Sequence, residues 1–467
     1  MKLLKKPVLN GNEMMFSRRE LMKIVIPLII QQILAVTVGM VDTMMVSAAG
    51  EAAVSGVSLV NSLDVLLVMA FTSLAAGGAV VVSQFLGQKN REATLSSAKQ
   101  LLYASTGIAV LLTVIVLLLR VPLLNLLFGD VEPDVMQSAQ GYFFFVALSF
   151  PLLAIENSCA ALFRAMGNSM ISMLASLGMN LVNVCGNALL IMHFGMGAAG
   201  AAIATLFARL CGAALLLVLV HNKKNEVYVE RLFHYRPDFK IIKAILRIGV
   251  PNGIENSMFQ FGKLLTQSLI SSMGTAAIAA NAVAHTLANF QYMPGTAFSN
   301  TMVTVVGRCV GAKEQEQAKY YARRLTAATY GCLWVVILLT FLFAKPIIGI
   351  YDLSAEGSEL ALRLILYHSV CAAVLWPTAF TLASSFRAAS DVKFPLVVSM
   401  FSMWAFRVAL SYVFATESVS VFGLFVIPGL GLGPIGVWIA MTVDWVFRAI
   451  LFAIRHFSGK WLTKYRE

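Results

Sequence analysis

The sequence predicts an all-α polytopic membrane protein, with twelve transmembrane helices in two pseudo-symmetric lobes of six. Hydrophobic residues make up 59% of the 467-residue chain and charged residues only 12%, and the mean hydropathy is +0.80. This composition excludes an ordinary soluble domain. An internal repeat divides the predicted spans into two equal sets.

The spans are visible as apolar windows of about 20 residues, each long enough to cross roughly 30 Å of hydrocarbon. Their centres lie near residues 35, 70, 110, 152, 181, 209, 260, 291, 335, 372, 405 and 442. The basic N-terminus leads into the first span without the small-residue cleavage site of a signal peptide, so we expect it to remain as a cytoplasmic end.

The net charge of +12 is distributed as a topology signal. Most of the 35 lysines and arginines fall in the termini and the even-numbered connections, whereas Arg120, Lys345 and Arg363 fall in the odd-numbered ones. This positive-inside bias predicts that both termini are cytoplasmic. The compact loops favour a multi-pass protein of a prokaryotic inner membrane. The two largest basic clusters are His221–Arg247 and Arg308–Arg324. We interpret them as topology signals and contacts to lipid headgroups, and not as a nucleic-acid surface.

The internal repeat appears when the chain is laid over itself with Pro27 on Pro251, and we call this offset the repeat shift. At the same shift Gly50 falls on Gly274, Gly87 on Gly311, and Lys89 on Lys313. We therefore predict an N-terminal six-helix lobe over residues 1–221, a basic cytoplasmic linker over 222–245 and a C-terminal six-helix lobe over 246–467. Six spans per lobe give both lobes the same orientation, an arrangement typical of secondary transporters.

Asp42 is the most informative residue, because an aspartate at mid-membrane costs roughly 2.5–3.5 kcal/mol. At the repeat shift it falls on Thr266, so it is a specialisation of the first lobe. Gln31, Gly39 and Asp42 share one helical face, and we expect Gly39 to permit close approach of another helix. Pro27, Gly39 and Pro251 are the expected sites of helix bending.

Polar residues on two further spans are candidate neighbours of Asp42. Asn183 and Asn187 lie on one face of the fifth span, and Thr205 and Arg209 on one face of the sixth. These carboxylate, amide and hydroxyl groups are suited to binding Na⁺ at Asp42 or to burying a protonatable acid. The alternative is that Asn and Thr only hold helices together.

Several motifs, taken together, resemble the multidrug and toxic compound extrusion (MATE) family over nearly the whole chain. They include Val41-Asp42-Thr43-Met44-Met45-Val46, Phe163-Arg164-Ala165-Met166-Gly167-Asn168, Gly249-Val250-Pro251 and Gly436-Val437-Trp438. The resemblance implies two six-helix lobes around a central chamber that opens alternately to each side.

The resemblance also implies a first-lobe ion site. Asp42, Asn183 and Thr205 match the family's pattern, but Asn187 stands where the family has an aspartate. One branch of the family uses acids on the seventh and tenth spans. Glu255 is available on the seventh, but Leu360–Ala383 contains no acid, so we place ion coupling in the first lobe.

Other intramembrane charges are secondary candidates for substrate or ion contact, namely Glu255, Gln31, Arg209 and Glu156. Arg209 is either a counter-ion of Asp42 or the partner of another acid. Asp444 and Arg448, spaced i, i+4, are expected to form a structural pair.

The predicted function is a monomeric secondary antiporter that exports organic cations or drugs in exchange for H⁺ or Na⁺, without a cofactor. The alternative is a flippase for a lipid-linked oligosaccharide or a peptidoglycan precursor. An enzyme is not indicated, because the sequence carries neither an HExxH motif nor a Gly-rich phosphate loop with Lys-Ser/Thr.

Overall fold

A computed structural model describes residues 14–129, 131–230, 236–421 and 425–466. The basic N-terminal segment 1–13 and residues 231–235 of the predicted linker lie outside this part of the chain. The described residues are nearly all helical, and the long helices follow one another in twelve spans, as predicted.

The first six spans contain seven helices. They are α1 (Arg18–Ser47), α2 (Glu51–Gly87), α3 (Arg91–Phe128), α4 (Pro133–Leu148), α5 (Phe150–Ala165), α6 (Ser169–Asn187), which continues as a π-helical segment (Ala188–His193), and α7 (Gly197–Val220). Helices α4 and α5 form one broken span, bent by 46° at Ser149.

The last six spans repeat this arrangement with different breaks. They contain α8 (Phe239–Ser271), α9 (Thr275–Gly311), α10 (Gln315–Ile350), α11 (Ala355–Trp376), a π-helical segment (Pro377–Thr381), α12 (Ala383–Ala388), α13 (Lys393–Ser402), a second π-helical segment (Met403–Val408), α14 (Ala409–Ala415) and α15 (Pro434–Ser458). An antiparallel hairpin of β1 (Ser418–Val421) and β2 (Phe425–Pro428) precedes α15. A 3-10 helix (Lys460–Arg466) follows it.

The lengths and compositions of these helices suit a bilayer. Nine of the described helical spans are long and apolar enough to cross a membrane singly, and α4 with α5 makes a tenth. Helices α8 and α9, of 33 and 37 residues, are as long but carry more polar side chains. On α3, Leu111, Ile115 and Leu118 lie on one face and are 60%, 42% and 75% exposed. This exposure is explained by contact with lipid.

The chain divides into two compact units, and the division falls inside α8, between Gly253 and Ile254. The N-terminal unit contains the described residues from 16 to 253. In it, a Cβ on Gly77 of α2 would lie 2.7 Å from the backbone nitrogen of Gly249 of α8. The start of α8 therefore packs with the helices before it. The predicted lobe boundaries follow the sequence repeat, not this packing, and stay predictions.

The C-terminal unit contains the described residues from 254 onward, with 14–15. Its core includes a column of aromatic rings that crosses several helices. Tyr292 stacks on Trp376 at 5.0 Å between centroids, and Trp376 stacks on Phe380 at 5.2 Å. Large rings in this arrangement bury much apolar surface and hold a fixed geometry.

The internal repeat is confirmed in the backbone. Gly50 and Gly274, which precede α2 and α9, have φ of 97° and 101°, and Lys89 and Lys313 have φ of 57° and 61°. The two members of each pair coincide at the repeat shift. Positive φ is uncommon for a residue other than glycine, so two matched lysines are strong evidence of equivalent turns.

Candidate functional site

The four residues predicted to form the ion site are joined in one hydrogen-bonded chain. The amide Nδ2 of Asn187 donates to Asp42 Oδ1 and, at 3.4 Å, to Asn183 Oδ1. The Nδ2 of Asn183 donates to Thr205 Oγ1 at 3.2 Å, and the Thr205 hydroxyl donates to the Ala201 carbonyl at 2.9 Å. Three helices, α1, α6 and α7, therefore meet at this site.

Burial differs along this chain of residues. Asn187 is fully buried and Asn183 is 9% exposed, whereas Asp42 and Thr205 are only partly buried. One edge of the Asp42 carboxylate is held by the amide of Asn187, and an approaching cation can reach the group. The arrangement combines a rigid buried support with an accessible charge.

The second polar atom of Asn187 is a buried acceptor. Its Oδ1 is buried and has no hydrogen-bond partner among the described residues. A buried acceptor without a donor costs about 1–3 kcal/mol. Carboxylate, amide and hydroxyl oxygens are the ligands that hard cations prefer. The donor set therefore fits Na⁺ or a shared proton.

Asn187 is also the last residue of α6, directly before the π-helical segment Ala188–His193. Such π-helical turns are frequent at functional sites, because the extra residue per turn redirects the side chains that follow. The sequence places Asn187 on a polar stripe but gives no signal for this change in helix geometry.

Arg209 pairs with an acid other than Asp42. Its Nη2 lies 3.5 Å from Asp64 Oδ2, and its Nη1 donates to Ser149 Oγ at 2.6 Å. This is the second of the two alternatives that the sequence left open. At the repeat shift Asp64, like Asp42, aligns with an uncharged residue of the second half. This asymmetry is the sequence feature that could have identified Asp64 as a functional candidate. Because Ser149 lies at the break between α4 and α5, Arg209 ties α7 to that bend.

The remaining first-lobe candidates lie apart from the hydrogen-bonded chain. Gln31 Oε1 accepts from Ser172 Oγ at 3.4 Å. Glu156 carries a buried Oε2 without a hydrogen-bond partner in the described part of the chain. The expected close approach at Gly39 is wrong, because no described atom lies within 4 Å of a Cβ placed there. Pro27 lies inside the unbroken helix α1.

In the C-terminal unit, the second-lobe candidate Glu255 is paired with a cation. Its Oε1 accepts from Arg387 Nη2 at 2.8 Å. Glu255 lies on α8 one turn after Pro251, which does not interrupt the helix. The expected pair of Asp444 and Arg448 is confirmed, with 2.7 Å between Asp444 Oδ1 and Arg448 Nε.

Two repeated sets of membrane-spanning helices, with a polar chain of residues inside the first, define a polytopic membrane transporter. The MatE family model matches residues 27–189 and, at the repeat shift, residues 251–413. The chain belongs to this family, multidrug and toxic compound extrusion, and is a transporter and not an enzyme.

Curated relatives match over most of their length. The chain is 28% identical over 456 residues to the uncharacterized transporter YisQ of Bacillus subtilis, covering 94% of each chain. It is 26% identical over 454 residues to the probable multidrug resistance protein NorM of Thermotoga maritima, covering 95% of this chain and 93% of the relative.

Solved structures share the fold. An outward-facing multidrug resistance MATE family transporter superposes with a TM-score of 0.87 at 18% identity, covering 97% of this chain and all of that one. A MATE structure in a bent conformation gives a TM-score of 0.84 at 18% identity, covering 95% and 96%. The twelve-helix, two-lobe fold of this family is therefore the fold of this chain.

Proposed function

We propose that this transporter is a secondary active antiporter that exports organic cations or drugs in exchange for H⁺ or Na⁺, with Asp42 as the coupling carboxylate. The observation that carries the proposal is the hydrogen-bonded chain from Asp42 through Asn187 and Asn183 to Thr205. The names of relatives such as the NorM proteins support multidrug compounds as the cargo.

Asn187 suits a carboxylate that alternates between two charge states. When Asp42 is ionised, the Asn187 Nδ2 donates to it, as the structure has it. When Asp42 binds a proton or Na⁺, the site needs an acceptor in place of a donor. The Oδ1 of the same amide, buried and without a donor, supplies it by rotation about the terminal side-chain torsion. Asn187 thus serves both states without a second negative charge.

The coupling step follows from the helices that the site connects. The bond between Asp42 and Asn187 holds α1 against α6. Neutralising Asp42 from outside weakens this bond and removes the negative charge that holds a cationic cargo, so the cargo leaves outward. The transporter, now without cargo but with the ion bound, returns to the inward-facing state and releases the ion there. One pH unit supplies about 1.4 kcal/mol, and 100 mV about 2.3 kcal/mol per charge.

The test uses purified protein in liposomes with ethidium as the fluorescent cation. A pH gradient and a Na⁺ gradient are imposed separately on the wild type and on Asp42→Asn. We expect one gradient to drive ethidium transport in the wild type and Asp42→Asn to abolish it. Glu51→Gln, which neutralises an exposed acid at the start of α2, is the matched control and should transport normally.

Two outcomes would contradict the proposal. If neither gradient moves ethidium, cation antiport is wrong. If Asp42→Asn transports as the wild type does, the coupling carboxylate lies elsewhere, and Glu255 becomes the first residue to test.

The proposed setting is a prokaryotic inner membrane, with both termini cytoplasmic and one chain as the functional unit. Reporter fusions at the C-terminus distinguish the two sides. At a cytoplasmic end, a fused green fluorescent protein is fluorescent and a fused alkaline phosphatase is inactive. The opposite pattern would overturn the orientation.

A further inference from the structure

The interior of the C-terminal unit carries more cations than carboxylates. Arg448 Nε lies 2.7 Å from Asp444 Oδ1, and Arg407 Nε lies 3.2 Å from Asp444 Oδ2. All three side chains are at most 6% exposed. One buried carboxylate is thus shared by two guanidinium groups. Asp444 alone does not neutralise both guanidinium groups.

Lys263 adds a third cation to this region. It lies on α8, and among the described residues its ammonium group has no hydrogen-bond or salt-bridge partner. Charged residues within a membrane span are costly, pair with an opposite charge or line a water-filled cavity, and mark functional sites. No described carboxylate neutralises Lys263.

Phe259 lies under the Arg407 guanidinium and one helical turn before Lys263 on α8. The Arg407 guanidinium lies over the Phe259 ring, 4.9 Å from its centroid. Lys263 follows Phe259 by one helical turn on the same face of α8. Between them, Gly262 packs directly against Met403, one turn before Arg407 on the π-helical segment. The two cationic side chains therefore belong to one small region.

A series of aromatic rings continues from this region. Phe259 contacts Phe380 edge to face, with 6.3 Å between centroids, and Phe380 stacks on Trp376 at 5.2 Å. Phe380 also lies under the Arg448 guanidinium, 5.4 Å away. Cations beside aromatic rings are a combination suited to a ligand with an acidic head and an apolar body.

The shared fold does not account for these cations. At the repeat shift, Lys263 falls on Gly39 and Arg407 falls on Asn183. The first half keeps its helices at these positions without any positive charge. Lys263 and Arg407 are therefore specialisations of the second half, as Asp42 is of the first.

We propose that Lys263 and Arg407 form a binding site for an amphiphilic organic anion. Its carboxylate, sulfonate or phosphate group is held between the two cations, and its apolar body lies along Phe259 and Phe380. The site shares no residue with the Asp42 chain and takes a ligand of opposite charge.

The test is isothermal titration calorimetry of the full chain in micelles of an uncharged detergent. The probes are naphthalene-2-sulfonate and 2-naphthylmethylammonium, which share an aromatic body and differ in charge. We expect saturable binding of the sulfonate alone, weakened at least tenfold in Lys263→Gln and retained in Lys263→Arg. Lys345→Gln, an exposed lysine of the same unit, is the matched control and should bind as the wild type does.

A second arm titrates dihexanoylphosphatidylglycerol, because a lipid headgroup offers the same anionic chemistry as a free acid. Binding of this lipid alone, with the same dependence on Lys263, keeps the anion site and assigns it to a headgroup. Equal binding of the two naphthalene probes, or unchanged sulfonate binding in Lys263→Gln, would overturn the proposal. Lys263→Met replaces Lys263→Gln if the latter is not monodisperse. No ion gradient is used, so the result is independent of the proposed antiport.

Discussion

Asn187 is the residue that connects the candidate site, because its single amide reaches both Asp42 and Asn183. Family resemblance implies an aspartate at this position. An amide there keeps the site at one negative charge and still offers a donor and an acceptor. The difference makes Asn187 the residue through which this chain departs most clearly from the family's ion site.

Replacing Asn187 by leucine should uncouple transport without unfolding the protein. Leucine has a similar volume and needs no hydrogen bond in a buried position, but it removes the only described donor to Asp42. We expect ion-driven ethidium transport to fall at least tenfold, with the melting temperature changed little. Asn180→Leu, on the same face of α6 and outside the hydrogen-bonded chain, is the control. Wild-type transport by Asn187→Leu would show that the amide plays no part in coupling.

Arg209 and Asp64 form an ion pair in which each side chain is at most 15% exposed. Removing one partner leaves a buried charge without compensation, which typically costs about 3–5 kcal/mol. We expect Arg209→Gln to lower the thermal stability in detergent strongly. Adding Asp64→Asn to Arg209→Gln should restore much of the loss, because neither charge remains. A double variant as unstable as Arg209→Gln would contradict this role of the pair.

At the scale of helices, glycine positions decide where two backbones can meet. A Cβ on Gly77 would lie 2.7–2.8 Å from backbone atoms of Gly249 and Ile245, which cannot rotate away. We expect Gly77→Ala to destabilise the protein by about 1–3 kcal/mol through overpacking. Gly107→Ala, on a face of α3 with no described atom within 4 Å, should be neutral or slightly stabilising. Thermal unfolding in detergent measures both, and equal melting temperatures would refute the packing argument.

The elements show what a sequence can and cannot predict. The spans followed from composition, because a helix that crosses lipid needs an apolar stretch of fixed length. That Asn183, Asn187 and Thr205 are neighbours of Asp42 was predicted from helical spacing. The bend at Ser149 and the π-helical segments were not predicted, since they depend on neighbours in space. The prediction of close helix packing at Gly39 was wrong for the same reason. Glycine permits close packing, but close packing occurs only where another helix lies beside it.

The hairpin of β1 and β2 was also not predicted from the sequence. Its register pairs Ser418 with Pro428 in a short connection between apolar spans. Two strands of four residues are too short to give a clear alternating pattern. The pairing of Arg209 with Asp64 likewise could not be predicted from the sequence, because spacing along one helix does not identify a partner on another helix.

For the whole molecule, the repeated turns predict matched responses in the two halves. Gly50 and Gly274 have φ of 97° and 101° and ψ of 167°, a conformation essentially restricted to glycine. We expect Gly50→Ala and Gly274→Ala to destabilise the protein by similar amounts, about 1–3 kcal/mol each. Gly141→Ala, at a helical position with open space, is the control. A large loss of stability in one of these two variants and none in the other would contradict the equivalence of the two turns.

The matched lysines at the second turn, Lys89 and Lys313, carry a historical consequence. A lysine with positive φ at the same place in both halves, where the conformation favours glycine, points to duplication of one six-helix segment. Duplication followed by separate change in each half accounts for an acid, Asp42, in one half and a cation, Lys263, in the other.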